Sequence, residues 1–165
     1  HIFDALMEAG KEFNLKPFGI RAMDSLRIEK SYKLVGTEMS IEYAAMESGL
    51  DRFVHLNKGN FIGRDALVKW QQNGFKNQFV TLEVMDVKSA DALGNNPIYK
   101  DDEVVGRATG GNYGFRVQKS LALGMVKPEF SKVGTQLKMD ILGELHKVEV
   151  INDSPYDPEN KIIRA

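Results

Sequence analysis

Within ten residues the chain places Arg21, Asp24, Arg27, Glu29 and Lys30. A guanidinium is a planar, permanently charged fork that holds a carboxylate or a polarised carbonyl in a fixed orientation. On a helix, Arg27 lies three residues from both Asp24 and Lys30. The same residues therefore also suit an ion-pair ladder on an exposed face, where each pair contributes only about 0.3–0.5 kcal/mol. Residue type alone leaves both readings open: a solvated ladder, or Arg21 or Arg27 directed into a cleft.

Other chemistries find less support. His1, His55 and His146 are scattered, none has a histidine partner at i+3 or i+4, and the chain has no cysteine. A transition-metal site would need carboxylates gathered by the fold, so no metal ligand is expected. No Gly-x-Ser-x-Gly elbow marks a serine nucleophile. The glycine-rich stretch from Gly106 to Gly114 reads as strand, wide turn, strand, and offers no helix N-terminus to cradle a phosphate.

With 165 residues, 42% of them hydrophobic and 27% charged, the chain can bury a real core as one domain or two small ones. A net charge of −1 gives no field that would attract nucleic acid or an anionic membrane, so an anionic ligand must be held locally. Apolar runs such as Ser120 to Val126 fall far short of the ~20 residues of a membrane helix. The lack of cysteine excludes a disulfide scaffold and fits a reducing compartment, so the cytoplasm is the expected location. His1 is no initiator methionine, and the helical spacing of Ile2, Phe3, Leu6, Met7 and Phe13 suggests a fragment that begins in an amphipathic helix.

The elements that must position the charged cluster follow from periodicity. The opening helix runs from about Ile2 to Phe13 and ends before Asn14 and Pro17. Ile20, Met23 and Leu26 predict a second short helix entered through Gly19. Ser40 to Gly49 is a third helix candidate capped by Gly49, Arg52 to Leu56 reads as extended, and Gly63 to Asn73 is a fourth helix stopped at Gly74. From Gln78 onward the period becomes two: Val80, Leu82 and Val84; Val104; Leu121 and Leu123; Leu137, Met139 and Ile141; Val148 and Val150. Turn signals separate them at Gly94–Pro97, Gly110–Asn112, Val133–Gly134 and Leu142–Glu144, as in a small antiparallel barrel or sandwich.

Several segments are similar to one family. Gly19–Tyr32 (GIRAMDSLRIEKSY), Met46–Leu50 (MESGL) and Phe61–Leu67 (FIGRDAL) resemble the glycine-cleavage T-protein (aminomethyltransferase) family. Val105–Phe115 (VGRATGGNYGF), Lys119–Val126 (KSLALGMV) and Ser154–Asn160 (SPYDPEN) resemble its C-terminal barrel domain. The segments occur in the family's order and sample nearly the whole chain. Met23 stands where ordinary aminomethyltransferases carry a pterin-facing arginine, and Val35–Gly36 replaces a tyrosine followed by glycine. Arg21, two residues earlier, and the pattern Glu29–Lys30–x–Tyr32 resemble instead the folate domains fused to dimethylglycine and sarcosine dehydrogenases.

The resemblance implies an α+β fold: the second half of the family's folate-binding domain over residues 1–74, then a C-terminal antiparallel β-barrel of six or seven strands over 75–165. It implies tetrahydrofolate as cofactor, FAD only where a dehydrogenase domain lies upstream, and as partner a small methylated amine or an aminomethyl-lipoyl carrier, with no nucleic acid and no membrane. The free aminomethyltransferase and a non-catalytic folate-binding or docking module are the alternatives. The family's catalytic carboxylate lies in a portion that no segment here matches, so no catalytic residue is assigned. Folate needs apolar walls with a few directed polar groups. The residues implied for it are Arg21, Tyr156, by correspondence with a C-terminal tyrosine segment, and Tyr113.

Overall fold

The computed structural model describes residues 1–87 and 90–165. Three helices precede a barrel: α1 (Ile2–Ala9), α2 (Ile20–Glu29) and α3 (Arg64–Asn73). Six strands follow: β1 (Gln78–Val84), β2 (Pro97–Lys100), β3 (Glu103–Gly114), β4 (Lys119–Val126), β5 (Gln136–Ile141) and β6 (Glu144–Ile151). Every pairing is antiparallel, and the order β1-β4-β3-β2-β5-β6 closes on itself through β1 and β6. Closure leaves no edge strand, since each strand has a hydrogen-bonded neighbour on both sides. Among the described residues no helix is long and apolar enough to cross a membrane.

The alternating residues line two cores. Val80, Leu82, Ala122, Val126, Leu137, Met139, Ile141, Val148 and Val150 fill the barrel interior. Leu121, Leu123 and Met125 point the other way, joining Ile28 of α2 and Phe79 in a second cluster outside the barrel wall. β4 is thus buried on both faces, because α2 lies across β3 and β4. Val104, expected to follow the apolar alternation, faces solvent, and its neighbour Val105 is the buried residue. β5 and β6 meet in a two-residue turn in which Leu142 (φ 54°) and Gly143 (φ 86°) are both left-handed, the hairpin geometry that matches strand twist.

The helical half departs from its pattern in three places. Ser40–Gly49 is a series of turns instead of a helix. The Glu47 carboxylate accepts the amides of Ala44, Lys76 and Asn77, and the Ser48 hydroxyl donates to the Glu38 carbonyl, so side chains tie these turns to the segments on either side. Gly49 does take the left-handed conformation expected of a cap (φ 66°). Asp51–Phe53 forms a 3-10 turn where an extended segment was expected. The opening helix likewise ends at Ala9, with a 3-10 turn over Lys11–Phe13 before left-handed Asn14. None of the residues of α1 is buried, and Ile2, Phe3 and Leu6 are exposed.

Candidate functional site

α2 organises everything around it. It starts at Gly19 without a side-chain cap and ends in a left-handed Ser31 (φ 53°), with the Ser31 and Tyr32 amides donating to the carbonyls of Ile28 and Arg27. That paired closure satisfies the last carbonyls of the helix. Ser25, Ile28 and Glu29 form its buried face. The Ser25 hydroxyl donates to the Tyr113 carbonyl (2.6 Å), and Glu29 Oε1 accepts the amides of Arg116 (2.6 Å) and Val117 (3.3 Å). Glu29 Oε2 is buried without a hydrogen-bond partner among the described residues.

The glycines of β3 explain themselves here. The expected turn at Gly110–Asn112 is absent, and β3 runs unbroken from Glu103 to Gly114. A Cβ on Gly110 would lie 3.1 Å from the Arg27 guanidinium, and one on Gly114 would lie 3.0 Å from Glu29 Cγ. Glycine lets α2 and its charged side chains approach the strand backbone closely.

The charged cluster is neither a solvated ladder nor, at Arg27, an open fork. Arg27 keeps only 11% of its side-chain exposure, pairs with Asp24 (3.1 Å), donates to the Tyr32 carbonyl (3.1 Å) and lies 3.9 Å from Glu38. Glu38 is fully buried, accepting the Leu34 amide (2.8 Å) and the hydroxyls of Thr37 (2.7 Å) and Thr109 (2.5 Å). Burial pushes its carboxyl pKa up, but these donors together hold it below the ordinary glutamate range. Lys30 reaches the C-terminal tail, donating to the carbonyls of Tyr156 (3.1 Å) and Asp157 (2.6 Å) and to Asn160 Oδ1 (2.8 Å). Sequence reasoning missed Glu38 and Glu47 as organisers; their only signal was a charged residue in each of two turn-rich segments.

The three expected ligand contacts occupy three places. Arg21 is the second residue of α2, exposed and without an ion pair among the described residues. It precedes Ser25 by one turn and so shares the face that α2 turns to the barrel. Tyr156 sits at the other end of α2, about 12 Å along the axis, with its amide on the Glu29 carbonyl and the Arg116 guanidinium 4.6 Å over its ring. Tyr113 is directed differently. It shares the β3 face of Gly111, whose added Cβ would meet Ala92 of the barrel core, so its ring points away from α2. There it packs edge-on to Phe115 (5.1 Å) and lines a cavity with Glu83, Asp91 and Lys119.

A closed six-stranded antiparallel barrel clasped by a helix, a carboxylate-pinned loop and the C-terminal tail defines the class of this protein as the barrel end of a T-protein fold. Residues 1–58 match the family model described as the GCVT N-terminal domain, and residues 77–157 match the glycine cleavage T-protein C-terminal barrel domain. The chain belongs to the glycine cleavage T-protein family. It is 37% identical over 153 residues to human mitochondrial dimethylglycine dehydrogenase, covering 92% of this chain and 18% of that protein. It is 31% identical over 160 residues to the aminomethyltransferase of Thermoanaerobacter pseudethanolicus, covering 97% of this chain and 43% of that protein. The crystal structure of the glycine cleavage system aminomethyltransferase T from Bartonella henselae superposes with a TM-score of 0.83 over 94% of this chain and 44% of that one, at 21% identity, a likeness of fold. The chain therefore spans less than half the length of these relatives.

Proposed function

We propose that this chain is the C-terminal part of a tetrahydrofolate-dependent one-carbon transfer protein of the dimethylglycine or sarcosine dehydrogenase type. The observation that carries the reading is similarity to dimethylglycine dehydrogenase over 92% of this chain. The division of labour we propose is residues 1–74 as part of the folate-binding domain and 75–165 as its barrel, since α3 ends at Asn73 and the first strand begins at Gln78. The donor set suits the cofactor. Arg21, without an ion pair among the described residues, is flanked in sequence by the exposed Phe18 and Ile20, an apolar neighbourhood with one charge of the kind a folate site needs. No acidic residue occupies the first turn of α2, so Arg21 stands uncompensated at the positive end of the helix dipole, a costly position that an anionic group would relieve. Tyr156 is proposed as an aromatic contact at the far end of α2, and Tyr113 as a third contact to be tested in the same way.

When bound, tetrahydrofolate supplies the amine nitrogens that accept the one-carbon unit. The residues of this chain bind and orient it; the carboxylate chemistry lies outside the segments matched here. FAD belongs to the proposal only if a dehydrogenase domain precedes this chain. The one-carbon donor is a small methylated amine. An aminomethyl-lipoyl carrier takes that place in the second reading, a free aminomethyltransferase, which the 31% identity over 97% of the chain favours. The cytoplasm is the proposed location on the composition argument, and the human relative is mitochondrial. Titration of the full-length protein with tetrahydrofolate, followed by assay of methylenetetrahydrofolate formation with dimethylglycine or an aminomethyl-lipoyl donor, tests the proposal. Turnover with dimethylglycine supports it, turnover with the lipoyl donor alone selects the second reading, and binding without turnover reduces the protein to a folate-binding module.

A further inference from the structure

Beyond the α2 face, a cavity of about 450 Å³ opens between the loop that follows α2 and the C-terminal tail. Its walls include Tyr32, Lys33, Arg52, Asp153 and Ser154. Lys33 retains 13% of its side-chain exposure, yet its nearest carboxylate oxygen, on Asp153, is 4.0 Å away, and it makes no hydrogen bond among the described residues. Its ammonium lies 3.9 Å from the centre of the Phe79 ring. The Asp153 carboxylate is half exposed and already accepts the Thr81 hydroxyl (2.7 Å). Arg52 stacks on Phe53 at 4.7 Å and, among the described residues, has no carboxylate or carbonyl partner. Lys30 also lines the cavity, but its three donors are committed to the tail.

Two cations, a fork and a point charge, thus line one cavity in which Asp153 is the one carboxylate among the lining residues. Buried cations are ordinarily paired, because desolvation is not recovered otherwise. Burial lowers the Lys33 pKa, the Asp153 and Glu38 carboxylates partly restore it, and the neighbouring Arg52 charge lowers it further. Cavities of this size hold small organic ligands, and Tyr32, half exposed at the rim, adds an aromatic surface.

We propose that Lys33 and Arg52 form a carboxylate-binding site in this cavity, separate from the Arg21 contact. Two sources supply that chemistry: the glutamate tail of a folate, which rests on the function proposed above, or the free carboxylate of a methylated amino acid, which does not require a folate. Lys33 supplies a desolvated ammonium, and Arg52 supplies the planar fork that grips the two oxygens.

The test uses the full-length protein and three probes: tetrahydropteroylpentaglutamate, tetrahydropteroate, which lacks the tail, and N,N-dimethylglycine. Lys33→Met keeps the aliphatic stem over Phe79 and removes the charge; Arg52→Ala, on an exposed side chain, leaves the fold undisturbed. A tenfold or greater loss for the pentaglutamate in both variants, with tetrahydropteroate unchanged, assigns the site to the tail. A comparable loss for dimethylglycine alone assigns it to the amino acid. Arg52→Lys should recover part of either loss. If the wild type binds neither folate, the function proposed above fails, while the dimethylglycine arm still decides this site. Unchanged affinity for every probe that binds, in correctly folded variants, or no binding of any of them, overturns the proposal.

Discussion

Removing the charge of Glu38 tests whether buried carboxylates hold the helical half onto the barrel. Its oxygens accept one amide and two hydroxyls, and one lies 3.9 Å from Arg27. Glu38→Gln keeps the shape but replaces charge-assisted bonds with neutral ones and puts an NH₂ where an acceptor stood. It also leaves Asp24 as the carboxylate partner of Arg27 among the described residues. Charge-assisted bonds contribute about 1.5–3 kcal/mol each, and roughly half of that survives a neutral replacement. A net loss of about 2–4.5 kcal/mol at pH 7 is therefore expected, or roughly 4–18 °C in Tm at the 2–4 °C per kcal/mol of a domain this size. The pH dependence fixes the mechanism. The folded-state pKa of Glu38 is depressed, so its contribution is fully present above the unfolded value of about 4.3 and is lost as pH falls through the folded value. Thermal unfolding followed by circular dichroism at pH 7, 5, 4 and 3 should show the gap between wild type and variant closing below about pH 4. An equal Tm at pH 7, or a gap that stays constant down to pH 3, refutes the argument.

Three further outcomes follow. Lys33→Met should hold or raise Tm at pH 7; because the folded-state pKa of Lys33 is lowered, wild-type stability rises with pH toward the ordinary lysine value and the variant's advantage narrows there, so a fall of more than about 1 kcal/mol at pH 7 contradicts the burial argument. Gly111→Ala should cost about 1–3 kcal/mol as overpacking, since its Cβ would lie 2.7 Å from both the Cβ and the carbonyl oxygen of Ala92; unchanged urea unfolding would show that β3 yields more easily than its contacts indicate. The isolated 165 residues should catalyse no aminomethyl transfer above a buffer control, and measurable turnover by them would place catalytic groups within this chain.

The barrel was legible because alternation survives translation into space. Val80, Leu82 and Val84, or Leu137, Met139 and Ile141, bury one face whatever surrounds them. Leu121 and Leu123 showed the same period, but nothing local could reveal that they face outward into the α2 cluster. The Gly110–Gly111 pair looked like a turn because glycine is a turn residue; here its role is close approach by Arg27 and Ala92, which only the tertiary structure supplies. Ser40–Gly49 failed as a helix for a similar reason: Glu47, inside the predicted helix, turns its carboxylate back to the Ala44 amide and across to the amides of Lys76 and Asn77, a tie to a distant segment that local sequence does not reveal. Arg21 stood out through its neighbours in sequence. Lys33 and Arg52 did not, because the cavity they share is assembled from segments that meet only when the C-terminal tail folds back.

The role proposed for this chain is to supply directed contacts to tetrahydrofolate, and Arg21 is the contact on which that role depends most directly. Arg21 lies in the first turn of α2, where the extended backbone of Gly19 (φ −78°, ψ 153°) sets the entry, while Met23, two residues on, is rotated by about 200° to another side of the helix. Equilibrium titration of the full-length protein with tetrahydrofolate, wild type against Arg21→Ala, is the decisive measurement. A lost charge-assisted hydrogen bond should weaken binding by about 1.5–3 kcal/mol, or roughly 10- to 150-fold in Kd. Tm should stay level or rise slightly, because the exposed arginine opposes the helix dipole. An unchanged Kd in a correctly folded variant would contradict the account and leave Arg21 a solvated surface charge.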